Sequence, residues 1–208
     1  QAKAQNKTPL LTILKKQKRN VFSIFLLLVM SAAGSYVLMG YLSTYMHVYL
    51  HYTMARALQL QALFNIISLF AVTFFSIVSD IYGRRLTLYI AVVGYIIFAF
   101  PCFYYLQFTG LWICLLPLVM AYSAEQSTTP VAMVEMFPGA TRYSGVSIGY
   151  NFAMAIIGGT APFINTWLID TFNNTMMIAY YLIACAIISL LVIIFKLPRV
   201  FGHELELA

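Results

Sequence analysis

Charge is the scarcest commodity in this sequence. Asp, Glu, Lys and Arg make up only 9% of its 208 residues, against roughly 25% in a soluble domain. The 62% of hydrophobic residues are spread along nearly the whole chain, which excludes one buried core wrapped in a polar surface. Cysteine is sparse as well. Cys102, Cys114 and Cys185 each sit inside an apolar run, so they are expected to pack, and neither a disulfide framework nor a metal site is expected. No glycine-rich phosphate loop and no Ser/His/Asp pattern occurs, and nothing supports an enzyme or a bound cofactor. Strict alternation of polar and apolar residues is also missing, which excludes a transmembrane β-barrel. The first twenty residues hold no apolar leader, so no signal peptide is expected. The chain opens on Gln1 and is read as a piece of a longer protein.

What the sequence does have is long apolar runs. A membrane-spanning helix needs about 20 apolar residues, because ~30 Å of hydrocarbon is crossed at ~1.5 Å per residue. Six runs qualify, over about 21–45, 56–79, 86–107, 110–135, 143–169 and 175–196. The expected fold is an all-α membrane protein, one bundle of six helices over 21–196. A basic segment, 1–20, precedes it and a tail, 197–208, follows.

The basic residues orient the bundle. Lys3, Lys7, Lys15, Lys16, Lys18, Arg19, Arg84, Arg85, Arg142, Lys196 and Arg199 fall on one side of six alternating helices, and Arg56 alone on the other. This asymmetry predicts that both ends are cytoplasmic. It accounts for the net charge of +6 through the lipid bilayer, with no nucleic-acid partner.

The runs differ in polarity. The first, second, fourth and fifth carry groups that are costly against lipid, such as Ser31, Gln61, "AYSAEQSTTP" over 121–130 and "GVSIGYNFAMAIIGGTAP" over 145–162. These four are expected to face one another or a wet cavity, leaving the third and sixth at the periphery. Pro130, Gly158, Gly159 and Pro162 are candidate bends or gates, with ordinary helix packing as the alternative. Gly145 and Gly149 allow close helix approach.

Glu125 is the sole Asp, Glu, Lys or Arg well inside any run. It lies about 15 Å along the helix from Glu135, near mid-membrane. Two readings stand: a bonded structural acid, or a group that carries a proton or binds solute. Tyr122, Ser123, Gln126 and Thr128 are its expected hydrogen-bond partners. Tyr122, Tyr150 and Tyr41 could offer cation–π contact to a quaternary ammonium or zwitterion, and most other tyrosines are expected to be interfacial. His47 and His51 are expected to be interfacial polar residues.

Two motifs carry a resemblance. "SDIYGRR" between the second and third runs resembles the D-x-x-G-R-[RK] loop of the major facilitator superfamily, with Asp80, Gly83, Arg84 and Arg85 matching and Ser76 where the fuller pattern has glycine. "VEMFPGATRYSG" resembles that family's E-x-F-P-x-x-x-R-x-x-G stretch through Glu135, Phe137, Pro138, Arg142 and Gly145. The continuation through Tyr150, Asn151, Gly158, Gly159 and Pro162 is similar to the metabolite:proton symporter branch. The resemblance implies helices 7 to 12 of a twelve-helix transporter, with an N-terminal six-helix half as partner. Transport would be by alternating access, in a bacterial inner membrane. It also implies a proton gradient as the coupling agent and a cytoplasmic latch of Asp80, Gly83, Arg84, Arg85, Glu135 and Arg142. The implied solute is small and organic, of the proline/betaine type, with Glu125, Tyr122, Gln126, Tyr150, Asn151 and Tyr41 as site candidates. A dicarboxylate or citrate symporter is the alternative, and a channel or non-transporting bundle is the alternative of another class.

Overall fold

The computed structural model describes residues 18–109, 112–136 and 142–195, without the side chains of 18–20, 109, 112 and 142–144. The expected basic segment before residue 18, the tail, and Phe137 and Pro138 lie outside the described residues. Six rods, α1 to α6, form one bundle, and no strand occurs among the described residues.

The first rod, α1, has three parts. An α-helix, Lys18–Gly34, runs into a π-helical segment, Ser35–Tyr41, and then into a helix, Leu42–Val48. The second rod, α2, is Met54–Tyr82. It starts at Thr53, whose hydroxyl accepts the Arg56 N–H at 3.3 Å. It stops at Gly83, whose φ of 94° is open to glycine and strained for other residues. Arg84–Thr109 forms α3, and a short 3-10 turn, Trp112–Leu115, leads into α4, Leu116–Glu135. The fifth rod, α5, is again tripartite: Arg142–Ala153, a π-helical Met154–Gly158, and Gly159–Phe172. Met177–Phe195 forms α6.

Five of the rods are long and apolar enough to cross a membrane: Val21–Val48, Met54–Tyr82, Arg84–Phe108, Gly145–Phe172 and Met177–Phe195. The remaining rod, α4, has 20 residues, enough for ~30 Å, but carries Glu125, Gln126 and a run of Ser and Thr. The bundle shelters those groups. Ser123, Glu125, Thr128 and Thr129 are all buried, with α2 and α3 packed against the rod.

The periphery differs from the sequence expectation. Leu88, Val92, Tyr95, Phe103 and Leu106 of α3 are buried between α4 and α6, and only the opposite face, with Ile90, Ile97 and Phe108, is exposed. The broadest exposed faces belong to α2 and α5, through Leu69, Phe70 and Phe74 and through Phe152, Phe163 and Trp167. A helix that is apolar all round does not disclose which face meets lipid and which meets the core.

Polar side chains stitch the rods. The Ser189 hydroxyl of α6 inserts into α1, accepting the Met30 N–H at 3.1 Å and lying within hydrogen-bond range of the Leu26 and Leu27 carbonyls. Gln61 of α2 donates to the Leu38 carbonyl at 2.8 Å, within the π-helical turn where regular helix bonding is interrupted.

Candidate functional site

A cavity of about 380 Å³ opens between α1, α4 and α5. Leu28, Ser31, Ser35 and Tyr36 supply the first wall, and Gln126, Thr129, Pro130 and Met133 the second. Tyr150 and Met154 complete it from α5. Among the described residues its lining has hydroxyls, an amide and two aromatic rings, but no charged side chain.

The polar wall is organised around Gln126. The amide nitrogen donates to the Tyr122 hydroxyl at 2.7 Å and to Ser35, while Ser31 donates to the amide oxygen at 3.3 Å. One side chain of α4 thus spans to two turns of α1. Tyr122 itself is buried against Phe64 behind this wall.

Glu125 is fully buried one layer back. The Thr129 hydroxyl donates to one carboxyl oxygen at 2.6 Å, and the other oxygen has no hydrogen-bond partner among the described residues. The expected partners are otherwise engaged. Tyr122 and Gln126 bond each other, Ser123 pairs with Ser68 of α2 at 3.1 Å, and Thr128 is 3.2 Å from Ser127. Helical spacing explains the difference, because a side chain meets the residue four positions on and Thr129 is that residue.

The other site candidates are not all gathered here. Tyr41 lies further along α1, its hydroxyl 2.7 Å from the Thr166 hydroxyl of α5. Asn151 is exposed and folds back on its own helix, donating to the Ser147 carbonyl at 2.8 Å. Sequence reasoning counted Ser31, Ser35 and Tyr36 among the polar groups of a run that should face a neighbouring helix or a wet cavity, but named neither them nor Met154 as site residues. Ser31, Ser35 and Tyr36 sit at polar positions of an otherwise apolar helix, which was a usable signal; Met154 had none.

The candidate bends sit beside the cavity. Pro130 lines it, and Gly158 ends the π-helical segment of α5. Pro162 has no N–H to offer the Gly158 carbonyl four residues back. The ring of Tyr36 lies over Gly158, and a Cβ added there would meet the ring at 2.5 Å. The two π-helical segments therefore touch, a ring from one seated on a glycine of the other.

A separate cluster forms at the α2–α3 turn. Arg84 pairs with Asp80, donates to the Ser79 hydroxyl at 3.2 Å and brings its Nε within 3.6 Å of Glu135 at the end of α4. Arg85 turns away. It donates to the Ile194 carbonyl near the end of α6 and to the Tyr89 hydroxyl, each at 3.2 Å. Of the six expected latch residues, Asp80, Arg84 and Glu135 meet, Gly83 makes the turn, Arg85 ties a different pair of helices, and the Arg142 side chain lies outside the described residues. His47 Nδ1 is 2.8 Å from the Tyr52 carbonyl at the opposite end. Among the described residues no group of three or more His, Cys, Asp and Glu could hold a metal ion.

The family described as sugar (and other) transporter matches residues 1–208. The proline/betaine transporter of Escherichia coli (strain K12) is 27% identical over 186 residues, covering 86% of this chain and 36% of that protein. The proline/betaine transporter of Salmonella typhimurium (strain LT2) is 27% identical over the same length. A Staphylococcus aureus (strain COL) relative whose name contains the same words is 27% identical over 199 residues, covering 94% of this chain and 43% of that protein. The chain therefore spans well under half the length of these relatives. No solved structure matches it at a significant level.

Proposed function

Because the chain belongs to the sugar (and other) transporter family of the major facilitator superfamily, we propose that it is the C-terminal half of a proton-coupled symporter. The solute would be small and organic, of the proline/betaine type. The carrying observation is the uncharged cavity with a buried acid directly behind its wall.

The lining favours a zwitterion or a compact polar solute over an organic acid. A dicarboxylate would require a buried cation, and the polar groups of this wall among the described residues are those of Ser, Gln, Thr and Tyr. Tyr36 and Tyr150 stand on facing helices and can offer ring faces to a quaternary ammonium, while Ser31, Ser35 and Gln126 hydrogen-bond its carboxylate. The same neutral donors suit sugar hydroxyls, which makes a sugar the second reading.

In this proposal a second six-helix half completes the site from the open side of the cavity. The two halves rock about it, as in other transporters with a midplane site. The Arg84–Asp80–Glu135 cluster is on the cytoplasmic side in this reading, which the one-sided distribution of Lys and Arg supports. It steadies the ends of α2, α3 and α4 while the cavity faces outward. Glu125 carries the coupling proton. The membrane is a bacterial inner membrane, with both ends of this segment cytoplasmic.

Uptake of labelled betaine, proline, glucose, citrate and 2-oxoglutarate by the full-length protein, with and without a proton gradient, tests the reading. Gradient-dependent uptake of betaine or proline, lost in Glu125→Gln, is expected. Uptake of none of these solutes overturns the transporter reading. Uptake that persists unchanged without a gradient overturns the proton coupling.

A further inference from the structure

The wall that α1 gives to the cavity is gripped from behind by its main chain. Leu28, Ser31, Ser35 and Tyr36 form that wall. Two side chains from other helices reach the α1 backbone on either side of it: Ser189 of α6 over residues 26–30, and Gln61 of α2 at Leu38. Neither of the two lines the cavity among the described residues.

Ser189 is wholly buried. Its hydroxyl accepts the Met30 N–H at 3.1 Å and has a single hydrogen to donate, to the Leu26 carbonyl at 3.1 Å or the Leu27 carbonyl at 3.0 Å. In a regular helix the Met30 N–H bonds the Leu26 carbonyl, four residues back. One hydroxyl thus addresses both ends of that bond, the arrangement by which an inserted side chain sets the course of a helix.

Gln61 donates one amide hydrogen to the Leu38 carbonyl at 2.8 Å and the other to Asn65 Oδ1, on its own helix, at 3.2 Å. Its amide oxygen is buried without a hydrogen-bond partner among the described residues. A stranded oxygen is costly, and an apolar side chain would pack there without that cost. What the amide supplies in return is its N–H on the Leu38 carbonyl. That carbonyl belongs to the π-helical Ser35–Tyr41, where regular helix bonding is interrupted and outside partners weigh more.

The remaining ties on this wall run through its side chains. Ser31 and Ser35 bond Gln126 inside the cavity, so a solute that enters competes for the same groups. Grips on the main chain leave those hydroxyls free and survive the exchange. We propose that Ser189 and Gln61 are positioning residues for the cavity, fixing the α1 backbone on both sides of the wall so that Ser31 and Ser35 keep their places whichever partner they hold. These roles go beyond the transporter reading in that they hold for any solute, with or without proton coupling.

Labelling of the full-length protein with a small water-soluble maleimide, followed site by site by mass spectrometry, tests this without any solute. Ser31→Cys or Ser35→Cys supplies the reporter thiol, and the buried native Cys102 on α3 is the internal control. Gln61→Met keeps the length of the side chain and removes the N–H. It is expected to raise the labelling rate at position 35 about fivefold, the effect of one lost hydrogen bond, with a smaller rise at position 31. Ser189→Ala is expected to do the reverse, with the larger rise at position 31. Cys102 should label as in the parent protein throughout. Unchanged rates at both positions in both variants overturn the proposal, and an unchanged rate in one variant removes that residue's role. A rise at Cys102 equal to that at the reporters also overturns it, because it reports general loosening. Should Gln61→Met fail to fold, an unchanged rate at position 31 in Ser189→Ala overturns it instead. Where betaine or proline uptake is measured, both variants are expected to raise KM about fivefold and to keep the maximal rate. A lowered maximal rate at unchanged KM overturns the positioning roles. Absence of uptake with the labelling pattern intact overturns the transporter reading and leaves these roles standing.

Discussion

The two ends of the bundle are tied by different chemistry. At the end that holds the α2–α3 turn the ties are charged: Arg84 with Asp80 and Glu135, and Arg85 on the Ile194 carbonyl. At the other end they are neutral. Tyr45 donates to the Thr175 carbonyl at 3.2 Å, Gln107 donates to the Thr175 hydroxyl at 2.7 Å, and Tyr52 donates to the Leu106 carbonyl. Tyr49, donating to Asp170 at 3.1 Å, is a tie there that reaches a charge. Charged ties are screened by salt and loosen when water enters, whereas a buried neutral hydrogen bond responds to neither. One end of this bundle is therefore built to respond to its surroundings and the other to stay closed.

The contrast can be broken at its strongest point first. Arg84→Gln removes the cation shared by two carboxylates, and Glu135 is only 19% exposed. The expected outcome is a stability loss of about 1–2 kcal/mol, measured by thermal unfolding of the full-length protein in detergent. The larger effect is expected on transport, a loss of about tenfold or more. Asp80→Asn, whose carboxylate is 67% exposed, should cost less stability. Equal losses would show that the pair with Glu135 contributes nothing.

After the effect on transport comes the join between the ends. Gly158→Val places a side chain against the Tyr36 ring. Overpacking of this kind costs about 1–3 kcal/mol. Tyr36→Ala in the same chain should restore part of the loss. A double variant no better than the single one would remove the ring-on-glycine contact from the account.

At the neutral end, Tyr45→Phe deletes the part-buried hydrogen bond to the Thr175 carbonyl and the longer one from Gln107, and about 1 kcal/mol should be lost. The sharper test is salt. Raising ionic strength from about 0.05 to 0.5 M should lower the melting temperature of the wild type and of Tyr45→Phe alike, and should barely affect Arg84→Gln. Equal salt sensitivity in all three proteins would erase the distinction between the ends. The smallest effect belongs to Tyr49→Phe, on the exposed Asp170, where a change within about 0.5 kcal/mol is expected.

Some of this was legible before any fold was known. Six apolar runs and one basic side follow from hydrophobic length and from counting Lys and Arg, properties that belong to each segment separately. The turn at Gly83 was legible too, since its glycine stands between an acid and two arginines, and the structure places it at a φ of 94°. The site was legible only in part. Gln126, Tyr150 and Pro130 were named and do line the cavity, whereas Tyr41 and Asn151 were named and lie elsewhere.

What the sequence determined by itself is local: how long each rod is, how polar it is, which end carries the arginines. What only tertiary structure decided is which face of each rod meets which neighbour. That choice seats Tyr36 on Gly158, sends Arg85 to α6 instead of Glu135, and leaves Glu125 bonded to Thr129. The reason is periodicity. An apolar helix shows its length plainly, but a residue's azimuth acquires meaning only from the helices packed around it. The π-helical turns in α1 and α5 shift that azimuth partway along the rod.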